Sequence, residues 1–194
     1  MQATLPHHSS QRLVFVRHGA TKPNLAGLRC GGDLDVSLTD LGRRQAVEAG
    51  QRILALGLTV GVVVCSDLRR TRETAQIISQ VLGGVEVIVD PAFSERRLGS
   101  WNLRSVASTE AGLVQGATPP DGESNQSFMD RIGGAMQRLL PHLPRSPLLV
   151  GSKGVARALS ELLGLPGRFA AVNGEVIQFD LAALLRRDDM GCLT

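Results

Sequence analysis

Leu13-Val14-Phe15-Val16-Arg17-His18-Gly19-Ala20-Thr21-Lys22-Pro23-Asn24 is the stretch from which the rest of the chain can be read. Four apolar residues, rich in valine and phenylalanine, form the pattern of a strand buried on both faces. The run stops at an Arg-His-Gly turn, so polar side chains are delivered at a strand end. The same pattern recurs downstream. Thr39 caps a helix that places Leu41, Ala46, Ala49, Ile53 and Leu54 roughly on one face and ends at Gly57. Val62-Val63-Val64-Cys65 is a second buried strand, followed by a helix from about Leu68 to Leu82 that Gly83-Gly84 stops. Val85 to Val89 is a third strand. A helix from about Gln126 to Leu140, a strand at Leu148-Leu149-Val150 and a helix from Gly154 to Leu163, closed by Gly164 and Pro166, continue the alternation. Val176 to Leu181 is a last strand, expected at the sheet edge. Strands and helices alternating at these lengths predict a three-layer α/β/α sandwich with a mostly parallel central sheet. Ligands bind such sheets where loops leave the carboxyl ends of the strands.

The chain has 194 residues, a length that one core can organise. The expected division is a flexible segment over 1–11, one domain over 12–185 and a loose tail over 186–194. The stretch from Pro91 to about Asn125, with Gly99, Gly112, Gly116, Pro119-Pro120 and Gly122, reads as irregular. An insertion or lid is expected at about 98–126, because no second core follows it. Aromatics are 3% of the chain and tyrosine is absent, which argues against a base-stacking, nucleic-acid-binding surface. The net charge of +3 is not concentrated in a run, so it suits either a solvated surface or a cationic pocket. Three cysteines, Cys30, Cys65 and Cys192, match no metal or redox spacing and are expected as free thiols. No apolar run approaches a membrane span and the first residues lack a signal-peptide core, so a cytoplasmic protein is expected.

Four segments carry chemistry: Arg17 to Asn24, Ser66 to Ala75, Ser94 to Trp101 and Gly151 to Arg157. A neutral imidazole is a good nucleophile when one ring nitrogen is held by a hydrogen bond, and neighbouring guanidinium groups keep it neutral. Guanidinium forks match phosphate oxygens in pairs. Arg-His-Gly by itself is a weak signal, since a strand can end on a basic pair by chance.

The order of the segments is more specific. Arg-His-Gly-x-Thr-x-x-Asn, from Arg17 to Asn24, resembles the opening motif of the histidine phosphatase superfamily, the phosphoglycerate-mutase-like enzymes. Arg29, Gly32, an acidic residue at Asp33 or Asp35, and Leu38-Thr39 continue the likeness. Ser66 to Ala75 resembles the family's second motif, with Thr71 where alanine is usual. Glu95 ahead of Gly99 and Trp101 is similar to the third, and Gly122-Glu123-Ser124 with Arg131 to the region before the last core strand. The resemblance implies a phosphomonoesterase that needs no metal or cofactor and acts on a small phosphorylated metabolite. It casts His18 as nucleophile and Glu95 as acid and base. Arg17 and Arg70 become phosphate ligands, joined by Asn24, Arg29, Ser152 and Lys153 in lesser or alternative roles. Other readings stay open: Glu95 could pair with Arg96 or Arg97, Arg29 could cap its loop, and Trp101 and Arg157 read as structural.

The fourth motif departs from the family. Ser-His-Gly-Gly-Val-x-Arg is usual, with the histidine on the phosphate. Aligned without gaps on Val155 and Arg157, the histidine falls on Ser152, whereas a one-residue slip would put Lys153 there. Lys153 could turn inward or to solvent. Three functions follow from the resemblance. The first is hydrolysis of a small phosphate monoester through a phosphohistidine. The second is binding of a phosphorylated ligand without useful turnover. The third, less favoured, is a phosphoglycerate mutase. Substrate identity is left open among sugar phosphates, phosphoglycerates and nucleoside-type phosphates.

Overall fold

The computed structural model describes residues 12–165 and 171–182. The expected segments 1–11 and 186–194, Pro166 and Cys192 lie outside the described residues. Five strands form one sheet: β1 (Arg12–Arg17), β2 (Val62–Cys65), β3 (Val87–Val89), β4 (Pro147–Gly151) and β5 (Val176–Asp180), in the order β3-β2-β4-β1-β5. The β1–β4, β4–β2 and β2–β3 pairs are parallel, and β5 runs antiparallel to β1 at the edge. The third strand begins at Val87 rather than at Val85.

The helices are α1 (Lys22–Leu25), α2 (Asp40–Ala55), α3 (Arg69–Val81), α4 (Val106–Val114), α5 (Asn125–Leu139) and α6 (Lys153–Leu162). Thr39 caps α2 by accepting from the N–H of Gly42 at 3.1 Å. Strand alternation sorts the two faces of the sheet. Leu13 and Phe15 join Phe128, Ile132 and Met136 of α5 and Val155 and Leu159 of α6 in one core. Val14 and Val16 join Ala49 and Ile53 of α2 and Ala75 and Ile78 of α3 in the other. Each fully buried side chain of this size stabilises by roughly 1.5–3 kcal/mol, so the two-sided burial of β1 fixes its register. This is the expected three-layer, mostly parallel arrangement.

The stretch from Pro91 to Asn125 is more ordered than its glycines and prolines suggest. It contains α4, and its start is stitched to the loop after α1. The N–H of Arg29 donates to Arg104 O at 2.9 Å, and those of Leu103 and Val106 donate to Arg29 O and Gly27 O. Trp101 packs on α4, where a Cβ at Gly112 would lie 2.7 Å from its ring, in agreement with a packing role. Among the described residues no helix is long and apolar enough to cross a membrane.

Candidate active site

The four mutually parallel strands β1, β4, β2 and β3 all end on the same side of the sheet, and the four chemical segments leave from that side. Arg17 lies opposite Gly151 in the β1–β4 register, so His18 and Ser152 emerge side by side. The N–H of His18 donates to Gly151 O at 2.9 Å. Gly19 lets the loop press against α2, because a Cβ there would lie 2.1 Å from Gly42 O. The N–H of Gly19 donates to Thr74 Oγ1 at 3.2 Å. Asn24 lies on the cavity wall, with its amide oxygen held by neighbours. Its Oδ1 accepts from the Thr21 N–H at 3.2 Å and from Asn173 Nδ2 at 3.3 Å, and Asn173 also donates to His18 O at 2.8 Å. Asn24 and Asn173 thus brace the loop.

His18 is only 3% exposed. Its Nδ1 lies 2.8 Å from Gly19 O. A carbonyl only accepts, so Nδ1 carries the proton and Nε2 keeps its lone pair. Burial, then repulsion by Arg70 and Arg17, holds the imidazole pKa well below 6.5, against the opposing effect of the Gly19 bond. The side chain is therefore neutral and oriented at neutral pH.

Arg70, on the first turn of α3, is completely buried. Its Nη1 and Nη2 donate to Leu34 O at 2.8 Å and Gly31 O at 3.1 Å. Arg17 Nη1 donates to Ala171 O at 2.7 Å. Three buried side-chain polar atoms among the described residues have no hydrogen-bond partner: Arg17 Nε, Arg70 Nε and Ser152 Oγ. Each can donate, and each belongs to a residue at the strand ends around His18. Ser152 is also the N-cap of α6, yet its hydroxyl does not cap the helix. Unsatisfied buried donors are costly, and their confinement to this corner marks a place suited to an oxyanion.

Glu95 does not pair with Arg96 or Arg97 through their side chains. Its Oε1 accepts from the Arg96 N–H and its Oε2 from the Gly154 N–H, both at 2.8 Å. Gly154 makes room for this carboxylate, since a Cβ would fall 1.9 Å from Oε1. The loop behind Glu95 is clamped by Arg131, which donates to Ala92 O and Ser94 O at 2.8 Å and to Glu123 Oε2 at 2.7 Å. Asp33 and Asp35 both have partners: Asp33 accepts from Leu98, Gly99 and Asn102, and Asp35 from the N–H of Arg69.

A cavity of about 560 Å³ opens in front of these groups, lined among others by Arg17, His18, Asn24, Glu95, Lys153 and Arg157. Arg70 and Ser152 stay buried and do not line it. Arg29 lines it too, but its guanidinium is committed to α4: Nε donates to Thr109 Oγ1 at 2.8 Å and Nη2 pairs with Glu110 at 2.6 Å. Arg157, which reads as structural from its helical setting, is on the cavity wall and faces Glu110 at 3.5 Å. Lys153 turns inward; burial, then Arg157 and Arg17, lowers its pKa. Asn173, Gly154, Arg157 and Glu110 were not legible as site residues. The glycine after Lys153 was the one available hint, since a glycine in a first helical turn suggests close approach by another group. No group of three or more His, Cys, Asp or Glu side chains among the described residues could hold a metal ion.

Comparison with known proteins agrees with this architecture. The family model described as "Histidine phosphatase superfamily (branch 1)" matches residues 13–174. A protein of Cronobacter sakazakii named "Probable phosphoglycerate mutase GpmB" is 40% identical over 168 residues, which cover 80% of this chain and 76% of that one. The mycobacterial glucosyl-3-phosphoglycerate phosphatase Rv2419c, solved with VO3, is 30% identical with a TM-score of 0.72, covering 89% of this chain and 94% of that chain. The Rv3214 structure from Mycobacterium tuberculosis is 31% identical with a TM-score of 0.72, covering 86% and 89%. With its motifs in order around a buried imidazole at the sheet edge, the chain belongs to the histidine phosphatase superfamily, branch 1.

Proposed function

We propose that the protein hydrolyses a small phosphate monoester through a phosphohistidine on His18. The observation that carries this reading is the clustering of every unsatisfied buried side-chain donor among the described residues, Arg17 Nε, Arg70 Nε and Ser152 Oγ, around an imidazole whose Nδ1 is already engaged. Nε2 of His18 attacks phosphorus in line, the P–O ester bond breaks, and Glu95 gives its proton to the leaving oxygen. Water then attacks phosphorus as Glu95 takes a proton from it, the P–N bond breaks with its electron pair returning to Nε2, and inorganic phosphate leaves with His18 neutral again. Arg17 and Arg70 stabilise the charge on the phosphoryl oxygens, and Ser152 adds one neutral hydrogen bond. Glu95 suits both proton steps because each of its oxygens, held by one N–H, keeps a lone pair for a second partner. Relatives named for phosphatase and for mutase activity support phosphoryl transfer as the common chemistry.

The decisive test is a screen of phosphorylated metabolites and 4-nitrophenyl phosphate with the wild type and His18→Ala. Hydrolysis by the wild type and none by the variant is expected. Undiminished hydrolysis by the variant would remove the mechanism. A second reading, ligand binding without turnover, rests on Ser152 in place of the family's second histidine. It predicts that the wild type binds phosphate esters but hydrolyses none. Mutase activity would instead convert 3-phosphoglycerate to an isomer of equal mass rather than to glycerate and phosphate.

A further inference from the structure

The imidazole of His18 is oriented by one carbonyl, Gly19 O, which accepts from Nδ1 at 2.8 Å. That oxygen belongs to the peptide unit joining Gly19 to Ala20. The N–H of the same unit is that of Ala20, and it donates to Gln45 Oε1 at 2.8 Å. A trans peptide unit is rigid and planar, with its N–H and C=O pointing opposite ways. Gln45 therefore grips from behind the group that grips the imidazole in front. A backbone N–H only donates, so the Gln45 amide presents its oxygen and not its nitrogen to Ala20. The preceding unit, between His18 and Gly19, is held in the same two-sided way. Asn173 Nδ2 donates to His18 O at 2.8 Å, and the Gly19 N–H donates to Thr74 Oγ1 at 3.2 Å.

Gln45 lies on α2 in a row with Thr39 and Gly42, three residues apart and so on one face. All three meet the same loop. The N–H and Oγ1 of Thr39 both donate to Ala20 O at 2.9 Å, and a Cβ at Gly42 would lie 2.3 Å from that oxygen. Thr39 and Gly42 thus set where the loop lies, while Gln45 acts on the N–H end of the unit that holds Nδ1. An N–H given a good acceptor polarises its own carbonyl, which then holds Nδ1–H more firmly. The hydrogen bond at one ring nitrogen decides the state of the other. We propose that Gln45 is a positioning residue for His18, keeping the proton on Nδ1 and the lone pair on Nε2 through the Gly19–Ala20 peptide. Gln45 does not line the cavity and acts only through that peptide. Its consequence for turnover rests on the phosphatase reading; the tautomer it selects does not.

The test is nitrogen NMR of histidine-labelled protein in mildly alkaline buffer, where imidazole is neutral. Gln45→Met keeps the length of the side chain without its acceptor, and Gln45→Glu keeps an acceptor. The chain has four histidines, and His18→Gln identifies the signals of His18. The wild type and Gln45→Glu are expected to show a protonated Nδ1 and a bare Nε2, and Gln45→Met a mixture of the two tautomers. In turnover, Gln45→Met is expected to lower kcat by up to about 100-fold, the cost of a misplacement of ~1 Å, with KM little changed and Gln45→Glu recovering most of the loss. Gln45→Leu removes the same acceptor and stands in should Gln45→Met fail to fold. An undisturbed His18 tautomer in the folded Met or Leu variant, or a disturbance that Gln45→Glu shares, would overturn the proposal even if kcat falls. A wild type that hydrolyses no monoester, but whose tautomer depends on Gln45, sinks only the phosphatase reading. One that hydrolyses through His18 with a tautomer indifferent to Gln45 sinks only the role of Gln45.

Discussion

At the scale of single residues, the imidazole of His18 sets the pH behaviour. In the unfolded chain it takes up a proton at about pH 6.5; in the folded chain burial, with Arg70 and Arg17 nearby, keeps it neutral well below that. Below pH 6.5 the unfolded state binds more protons than the folded one, so stability falls as the pH falls. The slope reaches up to about 1.4 kcal/mol per pH unit. Denaturant titrations from pH 7 towards pH 5 should show this slope in the wild type and lose it in His18→Gln. Ser152 offers a second prediction. Its buried hydroxyl has no partner, and a histidine there would restore the imidazole usual in the family. Ser152→His is expected to match or exceed wild-type turnover. A collapse of activity in a folded variant would mean that the serine has a role of its own.

At the scale of elements, the start of α6 and the loop behind Glu95 act as one unit. A Cβ at Gly154 would displace the Glu95 carboxylate, while alanine is a better helix former than glycine. Gly154→Ala should therefore lower kcat by about 100- to 10,000-fold, the worth of a general acid–base, with a melting temperature equal to or above that of the wild type. Retained kcat would show that Glu95 is not the proton carrier. Arg131 presents the opposite case. It is the partner of Glu123, whose side chain is 2% exposed. Arg131→Leu strands that carboxylate and should destabilise the protein by about 3–5 kcal/mol in chemical unfolding. These elements were unevenly legible in the sequence. Strands and helices whose apolar residues repeat at their own period fell within two residues of expectation, as with α5 starting at Asn125 rather than Gln126. Helix α4 was hidden, because Val106 to Val114 has no clean apolar face and sits among glycines. Its position comes from the strand-like pairing of Gly27 and Arg29 with residues 103–106, a long-range contact that local pattern does not encode.

At the scale of the whole molecule, an anion bound among the strand-end loops should stabilise the fold. At a free concentration of 100 times the dissociation constant the gain is about 2.7 kcal/mol. Thermal scans with increasing inorganic phosphate should move upward in the wild type and markedly less in Arg17→Met. The family's motifs were readable because each is short and local. What the sequence withheld was convergence: that Asn173 braces His18, or that Lys153 faces inward beside Arg157, depends on how distant loops meet. The sheet order carries one more consequence. β1 is flanked by β4 and β5, so the first strand made finds its partners only among the last. A chain emerging from the ribosome already holds Arg17, His18, Arg70 and Glu95 long before residue 147 supplies the neighbour that orients them. Stalled or truncated products ending short of that strand would carry three of the four motifs and yet be chemically inert.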